Sequence, residues 1–299
     1  MIIIKISGGI GNQFFQYAFA KALEFRRGIE VKIDRSHFDM QNKNITKRIF
    51  LLDNFKLSLK IAKREDFKKI GVPFPPENGF WGKIKKAIFK VEEYFRPDGN
   101  KKIIEDTTFG FDDSIFKIRD NSYVSGIWPS PRYFKSIEDI VFKDIMLKNH
   151  LSKNAEFFLG KIQEYNSVSI HIRRGDYLKY PNKFGLCSLE YYEKAVEKIK
   201  QSVISPVFFV FSDDINYAKE NLKIGHNVFY VSGLDVEDYE ELVLMSKCKH
   251  NIMANSTFSW WGAWLNKNRN KIVIAPKMLR KDDKNTSDFI PQEWNWIRM

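Results

Sequence analysis

The 299-residue chain has little of what marks several protein classes. Cysteine occurs twice, as Cys187 and Cys248, far apart and in unrelated contexts. Two such thiols make no disulfide framework and fit a reducing compartment. No apolar run approaches the roughly 20 residues that cross a bilayer, and the opening Met1-Ile-Ile-Ile-Lys5 breaks after four. That opening also lacks the basic head and long apolar stretch of a secretory signal, so a cytoplasmic location is expected. Internal repeats and low-complexity segments are missing. So is any recognisable RNA-binding signature, which weighs against a nucleic-acid partner.

What is present is an ordinary globular composition with a basic excess. Hydrophobic residues make up 43%, enough for one large or two ordinary domains with their own cores. The formal net charge of +12 asks for an acidic partner: nucleic acid, anionic lipid or a phosphorylated small molecule. Part of that charge is local. Residues 60–102 hold twelve Lys or Arg against six Asp or Glu, a net +6. Within them, residues 82–95 have the pattern of a short basic amphipathic helix. Its lysines suit an anionic membrane face, with Ile84, Ile88 and Phe89 entering the interface. A solvated helix in a loop-rich insertion explains the same residues.

The chain is organised around residues 167–177, Ser-Val-Ser-Ile-His-Ile-Arg-Arg-Gly-Asp-Tyr. Val168, Ile170 and Ile172 alternate with Ser169, His171 and Arg173, predicting a strand that buries one face and projects His171 and Arg173 from the other. The run ends on Arg173, Arg174, Gly175 and Asp176, where a strand of an open α/β sheet would meet its ligand. A guanidinium fork matches two phosphate oxygens at once, so the pair points to a phosphate-bearing ligand. A loop salt bridge between Arg174 and Asp176, with a core histidine, accounts for the same residues.

A second signal lies at the start, where an apolar strand runs into Gly8-Gly-Ile-Gly-Asn-Gln13 and then a helix with Phe14, Phe15, Ala18, Ala22 and Phe25 near one face. Backbone amides of such a turn can meet an anion. No Gly-Lys-Ser/Thr follows, which excludes a Walker A loop, and Asn12 serves equally as a helix cap. After residue 166 strands and helices alternate, the mark of a doubly wound parallel sheet. One apolar strand ends in Ser212-Asp213-Asp214, whose carboxylates can accept from a guanine base or cap the next helix. Ala254-Asn-Ser-Thr-Phe-Ser-Trp-Trp-Gly-Ala-Trp264 sets Asn255, Ser256 and Thr257 at a strand-to-helix junction suited to phosphate oxygens. Trp128 precedes Pro129-Ser-Pro-Arg-Tyr-Phe134; its ring could stack on a sugar face, but it reads better as a partly buried core residue.

His171-Ile-Arg173-Arg174-Gly-Asp176 resembles the His-x-Arg-Arg-x-Asp element shared by several fucosyltransferase families. The glycine turn, residues 126–134 and the tryptophan-rich string resemble the bacterial α-1,2-fucosyltransferases, with Pro129 replacing a usual Gln. The resemblance implies an α/β, GT-B type enzyme of two Rossmann-like domains with a cleft between them. Residues 1–150 would be the acceptor-side domain and 151–299 the GDP-sugar domain. It implies inverting transfer of L-fucose from GDP-fucose to the 2-hydroxyl of a terminal galactose on a glycan, with Arg173 catalytic. Gly11, Asn12, His171, Arg173, Arg174, Asp176, Asp213, Asp214, Asn255, Ser256 and Thr257 are the implied donor contacts. No metal or other cofactor is implied, since the arginine pair can neutralise the pyrophosphate. Asp34 and Asp176 stand as candidate bases. The alternatives are another GDP-sugar or acceptor linkage and, from a different class, a basic nucleic-acid-binding protein.

Overall fold

The computed structural model describes residues 1–39, 48–75, 80–97, 100–108, 110–179, 185–276, 288–291 and 296–298, with backbone alone for 80–86 and 296–298. Two compact units emerge. The first is Met1–Lys148 with the returning residues Asp288 and Phe289; the second begins at Asn149 and holds the remainder.

In the first unit, Ile2, Ile3 and Ile4 form β1 (Ile2–Lys5), a fully buried apolar run as parallel central strands require. The helix α1 (Ile10–Arg27) follows a turn in which Gly8 takes φ +79°, a region open to glycine. Gly9 occupies the cap position without any side-chain bond, so Asn12 is not the cap but lies in the first turn. The helix buries Phe14, Phe15, Ala18 and Ala22 as expected, but Phe25 is exposed, because the last turn runs past the sheet. There follow β2 (Val31–Asp34), β3 (Lys60–Ile61), α2 (Arg64–Ile70), α3 (Phe80–Phe95), β4 (Ile103–Glu105), β5 (Ser122–Ser125) and α4 (Glu138–Asp144). The sheet order is β3-β2-β1-β5-β4, all parallel, with the switch point between β1 and β5. Gln16 ties the loops on either side of it, accepting from Ser7 N at 2.9 Å and donating to Gly126 O at 2.8 Å.

Beyond β5 the chain bends sharply. Trp128 adopts φ +54°, a strained conformation for a bulky residue. Its ring is fully buried, stacks on Phe19 with centroids 4.0 Å apart, and donates Nε1–H to Asp106 at 2.7 Å. Gly126 makes room for it, since a Cβ there would lie 2.7 Å from the indole. The segment at Asp288 returns to this bend: Ser130 Oγ donates to Asp288 O, and Arg132 pairs with the Asp288 carboxylate at 3.1 Å.

In the second unit α5 (Lys153–Glu164), capped by Ser152, leads to β6 (Asn166–Ile172). Then come α6 (Leu189–Ser202), β7 (Pro206–Ser212), α7 (Ile215–Asn221), β8 (Val228–Tyr230), α8 (Asp238–Lys247), β9 (His250–Ile252), α9 (Thr257–Leu265), β10 (Val273–Ala275) and β11 (Trp296–Arg298). The order β11-β10-β9-β6-β7-β8 is that of a dinucleotide-binding sheet, with its switch point between β6 and β9. One-sided burial of β6 is corrected here. Val168, Ile170 and Ile172 pack with α6 residues Tyr192, Ala195, Val196 and Ile199, but Ser167, Ser169 and His171 on the opposite face are buried too. A central parallel strand is covered by helices on both faces.

Candidate active site

The loops leaving β6, β7 and β9 in the second unit carry most of the candidate residues. Because β6 lies between β7 and β9 in register, its carboxyl end brings Arg173 beside the exits of both neighbours. Arg173 pairs through Nη2 with Asp176 at 2.8 Å and through Nη1 with Asp213 at 3.2 Å. Burial alone would lower the pKa of this guanidinium, but the two carboxylates outweigh it and hold it raised. Asp213 also accepts the Arg174 backbone N–H at 2.8 Å. Gly175 permits this approach, since a Cβ there would stand 2.9 Å from the Asp213 carboxylate.

Arg174 points to a separate partner. Its Nε lies 3.2 Å from Asp214, and its guanidinium stacks 3.8 Å above the Tyr217 ring. Asp214 in addition caps α7, accepting from Tyr217 N. The sequence left open whether the aspartates serve base recognition or a cap; here one braces Arg173 and the other braces Arg174 and caps a helix. A loop pair between Arg174 and Asp176 is not formed; Asp176 is held by Arg173 instead.

The third exit supplies the string after β9. Ser256 caps α9, accepting from Phe258 N at 3.3 Å, and Thr257 is the helix's first residue. Tyr177 donates its hydroxyl to Asn255 O at 3.0 Å, so the loop after β6 is tied across the switch point to the loop after β9. Asn255 Nδ2 donates to Gly185 O at 2.6 Å. Trp260, Trp261 and Trp264 are buried and pack on one another, as expected of helix packing.

His171 is 3% exposed and lies against Phe258, with ring centroids 5.0 Å apart. Burial, and next the charge of Arg173, lower its pKa to about 3, so the ring is neutral. Its Nδ1 has no hydrogen-bond partner among the described residues. Gly11 and Asn12 belong to the first unit, in the opening turn of α1. Of the two candidate bases, Asp34 is buried in the first unit and accepts from Ser36 N, Ser36 Oγ and Tyr123 Oη at 2.9, 2.9 and 2.8 Å. Asp176 is engaged with Arg173. Both carboxylates are therefore braced by donors.

The sequence reading missed Tyr217 and a buried acid. Glu241 on α8 is pushed up to about 8, chiefly by burial, with Asp238 and Asp213 adding to the rise and a Ser232 hydrogen bond opposing it. Ser232 in turn accepts from Ser212 N at the end of β7. An unbroken apolar run before Ser212 signals the strand, but nothing in the sequence announces that Glu240 and Glu241 of α8 both turn inward. Burial pushes the thiol of Cys187, beside Asn255, up to about 11.

The arrangement can hold an anion. Two guanidinium groups stand at a sheet's switch point, fixed by carboxylates, next to a capped helix N-terminus. Comparison with known proteins places the chain in a family. The Escherichia coli α-1,2-colitosyltransferase is 31% identical over 98% of both chains. The E. coli O-antigen biosynthesis glycosyltransferase WbnK is 30% identical over 91% of this chain and 92% of its own. The mouse galactoside 2-alpha-L-fucosyltransferase Sec1 is 28% identical over 89% of this chain and 64% of its own. Among solved structures, the fucosyltransferase NodZ from Bradyrhizobium superposes with a TM-score of 0.51 at 15% identity, over 88% of this chain and 92% of that one, and shares the GT-B fold of two Rossmann-like units. The family model "Glycosyl transferase family 11" matches residues 1–298. The chain is a glycosyltransferase and belongs to glycosyl transferase family 11.

Proposed function

We propose that the chain transfers L-fucose from GDP-fucose to the 2-hydroxyl of a galactose residue on a glycan acceptor, with inversion at the anomeric carbon. The observation that carries this reading is Arg173 at the carboxyl end of β6, held by Asp176 and Asp213. Breaking the bond between sugar and phosphate passes through a transition state with oxocarbenium character, as in glycoside hydrolysis. Negative charge then grows on the departing diphosphate. A guanidinium fixed beforehand by two carboxylates meets that charge without reorganising, and its attraction is stronger in the transition state than before it. Arg174, held between Asp214 and Tyr217, adds a second positive charge. The N-terminus of α9, with Ser256 and Thr257, offers amides and hydroxyls to the phosphates. In this reading the proton of the acceptor hydroxyl leaves with the phosphate, and neither Asp34 nor Asp176 acts as base.

A second donor is favoured by a specific likeness. The α-1,2-colitosyltransferase matches this chain end to end, and colitose is L-fucose without its 3-hydroxyl. The two donors therefore differ by one polar group, and the α-1,2 linkage is common to both readings. Purified protein offered GDP-fucose, GDP-colitose and GDP-mannose with a panel of galactosides decides between them. Preferred turnover of GDP-fucose with a new α-1,2 linkage is the expected result. Preference for GDP-colitose selects the second donor, and use of GDP-mannose alone overturns both.

A further inference from the structure

The first unit contains a helix that faces the wrong way for a purely structural element. In α3, Phe89 is 9% exposed and packs with Ile3, Phe67 and Ile70, which anchors the helix to its own sheet. Phe89 is therefore not a membrane-facing residue, correcting the sequence expectation. Glu93, four positions on, turns to the same side and accepts the backbone N–H groups of Lys102 and Ile103 at the start of β4. With that side occupied, the opposite one points to solvent, and it is apolar. Ile88 is 54%, Val91 58%, Tyr94 80% and Phe95 77% exposed. Ile88, Val91 and Phe95 follow the i, i+3, i+7 spacing of one helical stripe. Soluble proteins seldom leave such a contiguous stripe uncovered.

We propose that this outward stripe of α3 is an interfacial docking surface for an anionic lipid bilayer. Charge selects the occupant. Residues 80–96 carry five Lys or Arg and two Asp or Glu, a net +3, within a chain of net +12. One of the two acids is bonded to β4 amides, and Arg96 pairs with both at 3.5 and 3.9 Å, leaving −1 from these three residues against +4 from the lysines of the segment. The uncompensated charge is therefore lysine, of which Lys90 is exposed on α3. A second copy packed on the stripe would bring two such basic helices together, whereas anionic headgroups would neutralise them. The exposed aromatic pair Tyr94 and Phe95, with ring centroids 5.3 Å apart, suits the headgroup boundary, where one side is apolar and the other wet.

Binding of this kind is reversible and falls with ionic strength, because the lysine contribution fades within a Debye length. The test is co-sedimentation of the full chain with vesicles of phosphatidylglycerol and phosphatidylcholine, against phosphatidylcholine alone, at low and high salt. Wild type is compared with the triple variant Ile88→Asn, Val91→Asn and Phe95→Asn. All three positions are exposed, so circular dichroism should be unchanged, as should turnover on a soluble acceptor. Wild type should partition onto the anionic vesicles at low salt, and the variant at least about tenfold less. Equal partitioning of the two proteins overturns the proposal. So does a wild-type dimer, seen by light scattering, that becomes monomeric in the variant without lipid binding, since a second copy then covers the stripe.

Discussion

Arg173 sits between Asp176 and Asp213, and that bracing defines what its replacement should do. Arg173→Ala removes the charge and leaves the Asp176 and Asp213 carboxylates without the guanidinium between them, where the proposed mechanism sets the departing diphosphate. Turnover should fall on the order of 100-fold or more, the usual loss for an electrostatic contact made to a developing charge. Arg173→Lys should recover little, because an ammonium cannot bridge both carboxylates and a phosphate. Steady-state release of GDP measures both, and a variant keeping more than half of wild-type turnover would remove Arg173 from the mechanism. The same residues bear on metal dependence. With Asp213 and Asp176 holding Arg173, and Asp214 holding Arg174, the carboxylates serve the arginines, and in the proposed reading the arginines serve the diphosphate. Activity should therefore survive exhaustive EDTA treatment; loss on chelation with recovery in Mg²⁺ or Mn²⁺ would recast the aspartates as cation ligands.

At the scale of elements, β5 and α1 depend on one indole. Trp128 stacks on Phe19, bonds Asp106 and fills the space left by Gly126, while its own backbone is strained. Trp128→Ala should lower stability by about 3–5 kcal/mol, the cost of a large cavity in a packed core. Urea denaturation followed by tryptophan fluorescence and far-ultraviolet dichroism would register it. A change below about 1 kcal/mol would mean that relief of the φ +54° conformation offsets the lost packing. This bend was only half legible. Tyr123-Val-Ser-Gly-Ile-Trp128 has the character of a strand throughout, but β5 stops at Ser125, because the indole must fold back onto α1. The regular βα alternation after residue 166 was far easier to read, since β6 alternates with a period of two, β7 is a continuous apolar run and α6 repeats at three and four. The sequence reading proposed no strands or helices for β3, β4 and α2, because strands of two or three residues carry too few positions for a period to appear.

At the scale of the whole molecule, two buried groups in the second unit should shape stability against pH in opposite directions. Glu241 keeps its proton to about pH 8 in the folded state, against an ordinary value of 4.5. Between those values the unfolded chain has released a proton that the folded chain retains, so stability falls as pH rises. His171 stays neutral down to about pH 3, against an ordinary 6.5. Between those values the unfolded chain binds a proton that the folded chain refuses, so stability falls as pH drops. From these two groups alone, stability should be greatest between about pH 4.5 and 6.5, where they oppose each other. Glu241→Gln should flatten the decline from pH 6.5 to 8 and leave the acid side alone. Thermal midpoints measured across pH 4 to 9 would test this, and an unchanged alkaline slope in the variant would show that Glu241 does not carry it.

The sequence by itself determined the class of fold, and it marked the strand and the arginines on which the proposed site is built. These follow from local rules: apolar runs that must be buried, glycine where a turn needs it, and a charged fork at a strand's end. Family 11 membership was legible for the same reason, since its motifs are contiguous. Only the tertiary structure decided which carboxylate holds which arginine, because Asp213 and Asp214 lie about 40 residues from Arg173 and Arg174 and meet them only when β6 pairs with β7. It likewise decided that His171 is buried, that Asn12 is not a cap, and that Phe89 rather than Ile88 faces inward. Each of those outcomes depends on what an element packs against, and packing partners brought together by sheet order leave no mark in a local pattern.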